Sequence, residues 1–218
     1  MVDRMKADNY KTLLQEGSFE CIIQKSRFIG YASPCDDEKT ALDFISRIRM
    51  MHKNASHNCY AYIIGKNAGI MRYSDDGEPS GTAGLPIIEV MKKRMIVNSA
   101  VVVTRYFGGI LLGASGLVRA YSHCCKNALS MSEVVVMEKS SKWLIEVSYS
   151  CWQQMKRYLE KCSYSLTGTQ FGVTVVINVV VKKMDEEQFT SDILRMSEGQ
   201  AELLLEEEVY YPWPEAEV

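Results

Sequence analysis

No stretch of this sequence approaches the roughly 20 consecutive apolar residues that a membrane-spanning helix needs, so no membrane role is expected. Net charge is nearly absent too. The 25 Lys and Arg against 27 Asp and Glu leave −2, which excludes attraction of nucleic acid by bulk charge and leaves room only for a local basic patch. None of the seven cysteines forms a C-x-x-C pair, and their number is odd, which argues against a zinc ribbon and a disulfide framework. The opening residues, MVDRMKADNYKTLLQEGS, are polar and mixed in charge, unlike a secretory signal. A cytoplasmic location with reduced thiols is the expectation, most of them serving as small core hydrophobes. No internal repeat or low-complexity tract is present.

What is there suits a core-forming protein. The 218 residues are 47% hydrophobic, enough for one large domain or two of roughly 100 residues each. Phe19–Gln24 and Phe28–Ala32 read as short strands flanking Ser26. Asp36, Asp37 and Glu38 suit the start of a helix whose buried stripe is Ala41, Leu42, Ile45, Ile48 and Met51. Asn58–Ile64 and Ile70–Tyr73 read as a hairpin. The stretch SDDGEPSGTAGLP (74–86) is too rich in Gly, Pro, Ser and Asp for a regular element. A helix follows with Ile87, Val90, Met91 and Met95 inward. Val101–Thr104 is a buried strand, and a glycine-rich turn leads to a helix with Leu117, Tyr121, Cys124, Ala128 and Met131 on one face.

The character changes near 132–139, where a domain boundary is expected. Beyond it the order is βαββαβ, with helices opening at a capping-box pattern, Ser150–Gln153, and at a box-like Asp185–Gln188. The first domain is expected to pack helices on one side of a sheet.

Several groups have the composition of a site. His57 and Cys59 share one face of a strand, where a packed Cys with a surface or ligand-touching His is preferred over a thiolate pair. Asp75, Asp76 and Glu78 crowd three carboxylates into a turn. They fit self-capping of the turn, metal binding, or pairing with arginine or a ligand. The spacing is not that of a calcium loop. Ser80-Gly81-Thr82-Ala83-Gly84 and Gly113–Gly116 offer small residues ahead of helices that can cradle phosphate. Neither is a P-loop, and Gly108-Gly109 with Gly113 does not make a dinucleotide fingerprint. Strand, glycines and helix start suit either an anion pocket or simply a tight turn with close packing. Arg105-Tyr106-Phe107 combines a guanidinium with aromatics, the mixture that meets phosphate and stacks bases. Lys25, Arg27, Lys92, Lys93, Arg94 and Arg119 suit either an extension of that basic rim or simply solvated faces.

Together SHNCYAY (56–62), SDDGEPSGTAGLPI (74–87) and VVVTRYFGGILLGASGLVRAY (101–121), with KSRFIG (25–30), resemble the IMPACT family in its bacterial YigZ-like branch. Leu85 stands where a basic residue is usual, and Ser115 replaces a glycine. The resemblance implies an α+β chain of two domains. Residues 1–134 would form a ribosomal protein S5 domain 2-like domain. Residues 139–212 would form a ferredoxin-like domain similar to the last domain of elongation factor G. Eukaryotic relatives regulate translation by competing for the activator of a kinase, hence by binding. The reading is therefore a translation-linked binding protein contacting RNA, ribosome or a translation partner, without catalysis, cofactor, metal or DNA sequence specificity. Its candidate site is Lys25, Arg27, His57, Asp75, Asp76, Glu78, Ser80, Thr82, Arg105, Tyr106, Gly108, Gly109 and Arg119. The alternatives are an enzyme or ligand-binding protein for a phosphorylated small molecule, and a protein–protein recognition module.

Overall fold

A computed structural model describes residues 9–215 of the chain, in two compact units. The first is built on Tyr10–Val136 and the second on Met137–Pro212.

The first unit opens with β1 (Tyr10–Leu13), then folds β2 (Gly17–Ile23), β3 (Ser26–Pro34), β4 (His57–Ile64), β5 (Ile70–Ser74) and β6 (Ser99–Tyr106). The last five form one antiparallel sheet in the order β2-β3-β6-β4-β5, which leaves β2 at an edge and β6 in the centre. Three helices cover it: α1 (Glu38–Met51), α2 (Gly84–Lys93) and α3 (Gly113–Met131). Asp37 caps α1 by accepting a hydrogen bond from the Thr40 N–H at 2.7 Å.

The helices lie on both faces of the sheet, not on one. Val101 and Val103 of β6 pack with Leu117, Tyr121 and Ile87 from α3 and α2. Ala100 and Val102, pointing the other way, pack with Phe44, Ile45 and Ile48 of α1. A central strand apolar at successive positions must bury both faces, and each buried Val side chain contributes roughly 1.5–3 kcal/mol. Leu42 and three methionines expected inside are outside: in α1, where the buried stripe is Ala41, Phe44, Ile45 and Ile48, Leu42 is 48% and Met51 57% exposed. Met131 is 58% exposed, because α3 turns Leu129 inward instead, and Met95 has left α2 with φ +57°.

The second unit holds β7 (Val134–Val147), α4 (Tyr149–Lys161), β8 (Ser165–Phe171), β9 (Val175–Lys182), α5 (Glu186–Met196) and β10 (Glu202–Pro214). This is the βαββαβ order, and β7 lies between β9 and β10 with β8 beyond β9. Ile145, Ile177 and Val179 of the sheet pack with Trp152, Met155, Phe189 and Ile193 of the helices. The chain is therefore a mixed α+β structure. The Ser150 capping box does not form: Ser148 is the N-cap, Ser150 lies inside the first turn, and neither Ser148 nor Asp185 caps its helix with a side chain.

Candidate functional site

Four sequence motifs meet on the α2–α3 side of the first sheet, around Glu78. The Glu78 carboxylate is buried, and its Oε1 accepts from Arg105 Nη1 at 2.7 Å and from the Tyr121 hydroxyl at 2.8 Å. Arg105 also donates from Nη2 to Ser26 Oγ at 3.2 Å, and its guanidinium lies 5.4 Å from the ring centres of both Phe28 and Phe107. His57 comes from the strand beside β6, in register with Arg105; its Nε2 lies 3.9 Å from Glu78 Oε1. A buried carboxylate and guanidinium are tolerable when they pair, as here through Arg105 Nη1, although Arg105 Nε is buried with no hydrogen-bond partner among the described residues.

The other acidic residues have separate tasks. The Asp75 carboxylate accepts three backbone N–H groups, from Gly81 at 2.8 Å, Ala83 at 3.0 Å and Gly84 at 2.8 Å. It thereby supplies the anion that the N-terminus of α2 attracts, since Ala83 at the N-cap has no side chain for the purpose. The GTAG loop is thus occupied by the chain's own carboxylate. Asp76, in the left-handed region at φ +44°, accepts from the Asn58 N–H at 2.7 Å and from Arg49 Nη2 at 2.9 Å. Its carbonyl accepts from His57 Nδ1 at 2.8 Å, so a neutral His57 presents the Nε2 lone pair toward the cluster. The three carboxylates diverge, and among the described residues no group of three or more His, Cys, Asp or Glu is placed to hold a metal.

Cys59 and Tyr121 complete the cluster, with the thiol donating to the Asp75 carbonyl at 2.9 Å. Burial pushes the Cys59 thiol up to about 12. Burial, helped by Cys59 and Glu78, also raises Tyr121 and holds it as the neutral phenol that donates to the carboxylate. Neither is an activated nucleophile. Chemically, the cluster is a closed set of ion pair, phenol and thiol.

Its construction fixes the following loop. Phe107 N–H donates to Ser56 Oγ at 3.0 Å and Gly108 N–H to Ser26 Oγ at 3.3 Å. A Cβ on Gly108 would sit 2.0 Å from the Lys25 carbonyl oxygen, so only glycine lets the two backbones pass. Gly109 turns the chain at φ +82°. Beyond these anchors the side chains face outward: Phe107 is 48%, Ile110 41% and Leu111 84% exposed.

The remaining expected site residues separate. Tyr106 follows Arg105 on a strand and so points to the opposite face, where its hydroxyl lies 2.9 Å from His52 Nδ1. Arg27 is on that same face, closed by Glu20 through two hydrogen bonds of 2.7 and 2.8 Å. Arg105 and Tyr106 therefore do not form one phosphate-and-base surface, and Arg105 is no free cation. Thr82 is buried, donating to the Pro79 carbonyl at 2.6 Å, while Ser80 is exposed. Lys25 and Arg119 are exposed, Arg119 on α3. Tyr121 and Ser26, absent from the expected set, are the functional-looking additions. Tyr121 carried only the signal of helical core spacing, and Ser26 none beyond its place in KSRFIG.

The Impact N-terminal domain profile matches residues 24–129, and a domain of unknown function (DUF1949) matches residues 145–200. The IMPACT family member YvyE of Bacillus subtilis is 36% identical over 195 residues, covering 89% of this chain and 90% of that protein. The IMPACT family member YigZ of Escherichia coli is 30% identical over 188 residues, covering 85% and 92%. A solved crystal structure of a hypothetical protein matches with a TM-score of 0.58 and 27% identity, covering 91% of this chain and 98% of that one. The motifs packed around Glu78 lie within the matched N-terminal region, and the similarity extends through both units: the chain belongs to the IMPACT family.

Proposed function

We propose that this chain is a translation-linked binding protein, contacting a ribosome, RNA or a translation-associated partner and carrying out no reaction of its own. Family membership supports the link to translation. The observation that carries the binding half is the closure of the Glu78–Arg105–Tyr121 cluster beneath an exposed apolar loop. The residues best suited to chemistry are spent on each other and on the backbone. What the cluster holds up to solvent is Phe107, Ile110 and Leu111. Apolar side chains projected from a pinned loop suit recognition of a surface, not turnover of a substrate.

Sedimentation of the purified chain with bacterial ribosomes at low and at high salt tests this. Pelleting with ribosomes is expected, and its salt dependence reports how much of the contact is to phosphate. Failure to pellet at low salt, together with failure to retain RNA on a filter, contradicts the reading.

A further inference from the structure

Resting on that binding role, we infer that the groove between α3 and the edge strand β2 receives a segment of a partner protein in which apolar side chains are flanked by carboxylates. The groove is about 420 Å³. Its apolar lining is Ile23, Leu112, Gly116 and Ala120, and its polar lining is Gln24, Arg119 and His123.

Position in the fold explains why it is open. Phe19, Cys21 and Ile23 of β2 all point toward α3, whose His123 packs on Phe19, yet each is only partly buried, because β2 is the edge strand of the sheet. On the helix, Leu112, Gly116, Arg119, His123 and Lys126 follow one another at spacings of three and four and make one stripe along it. Gly116 keeps the stripe low where it meets Leu112.

Charge selects the partner. Between Glu89 and Glu133 the sequence contains no acidic residue, while α3 alone carries Arg119, His123 and Lys126. Arg119 makes no ion pair or hydrogen bond among the described residues. The acid on the neighbouring hairpin, Glu20, lies on the other face of β2 and is closed by Arg27. An apolar floor with an unopposed basic rim matches an acidic, aliphatic segment. A nucleic-acid strand fits less well: the lining offers no aromatic platform for bases beyond the edge of His123, which is already packed against Phe19.

The test is selection from a displayed library of short random peptides on the full chain. The selected peptides are then measured by fluorescence anisotropy beside a labelled single-stranded oligouridylate. Peptides with Asp or Glu flanking Leu, Ile or Phe are expected to be enriched. Arg119→Glu, on an exposed helix position, is expected to weaken them about tenfold or more, while Lys161→Glu in the second unit changes nothing. Enrichment of basic or uncharged peptides, no enrichment at all, or equal binding by Arg119→Glu overturns the inference. So does oligouridylate binding that Arg119→Glu abolishes without any peptide binding, or self-association that it abolishes. Ribosome sedimentation of the same two proteins separates the readings. Pelleting by both, without peptide selection, overturns the groove assignment and leaves the translation role standing. Peptide binding without pelleting and without RNA retention on a filter supports the groove and contradicts the translation reading.

Discussion

Glu78 shows how one buried charge organises its surroundings. Its carboxylate is matched by Arg105 and Tyr121, so removing one partner strands the other. Arg105→Ala is expected to cost about 3–5 kcal/mol in urea unfolding, most of it the penalty of an unpaired buried carboxylate. Joint replacement by Glu78→Leu and Arg105→Met is expected to recover much of that loss. A single-variant cost below about 1 kcal/mol contradicts the role given to the pair. The buried thiols make a second test. Cys59 is pushed up to about 12 and Cys35 to about 11, in both cases by burial, against roughly 8.5 for an exposed thiol. Native alkylation read by mass spectrometry is expected to spare both and to label Cys21, Cys151 and Cys162, which are partly exposed. Because both folded values are raised, their contribution to stability is whole below about pH 8.5. It is lost as pH rises toward 11 and 12, since the unfolded chain releases those protons first. At pH 10 Cys59→Ala is therefore expected to flatten the alkaline fall in stability by up to roughly 2 kcal/mol.

At the scale of the elements, α2 begins on Asp75, which lies on a preceding turn and not at the N-cap. Asp75→Ala orphans three N–H groups and is expected to destabilise the first unit by about 2 kcal/mol or more, with Asp75→Asn intermediate; thermal unfolding measures both. An effect no larger than that of an ordinary surface substitution sinks this account of the loop. The sequence marked this loop as irregular and acidic, because Gly, Pro and Asp announce themselves locally. Which carboxylate meets which partner was not readable, since Glu78 and Arg105 are 27 positions apart and meet only through the sheet. Two points were legible and are corrected only by applying strand alternation throughout. Arg105 and Tyr106 must point to opposite faces, and an apolar run at Val101–Val103 must be covered on both. The βαββαβ order of the second unit was readable because each element there carries its own period and its own turn residues.

Over the whole molecule, acidic residues are unevenly distributed along the chain. The α2–α3 layer is free of acids beyond Glu89, the exposed loop Phe107–Leu111 lies at its sheet end, and the acids of β10 belong to the other unit. Such a distribution gives one part of the surface a distinct partner preference without any bulk charge. No helix among the described residues is long and apolar enough to cross a membrane. We propose that the motifs around Glu78 present a binding surface and perform no reaction. Ribosome sedimentation of the wild-type chain against Leu111→Asp measures this most directly, because Leu111 is 84% exposed and its replacement leaves the buried cluster intact. Wild type is expected to pellet and Leu111→Asp to remain largely in the supernatant at unchanged thermal stability. Equal pelleting of the two proteins, or pelleting of neither, contradicts the claim.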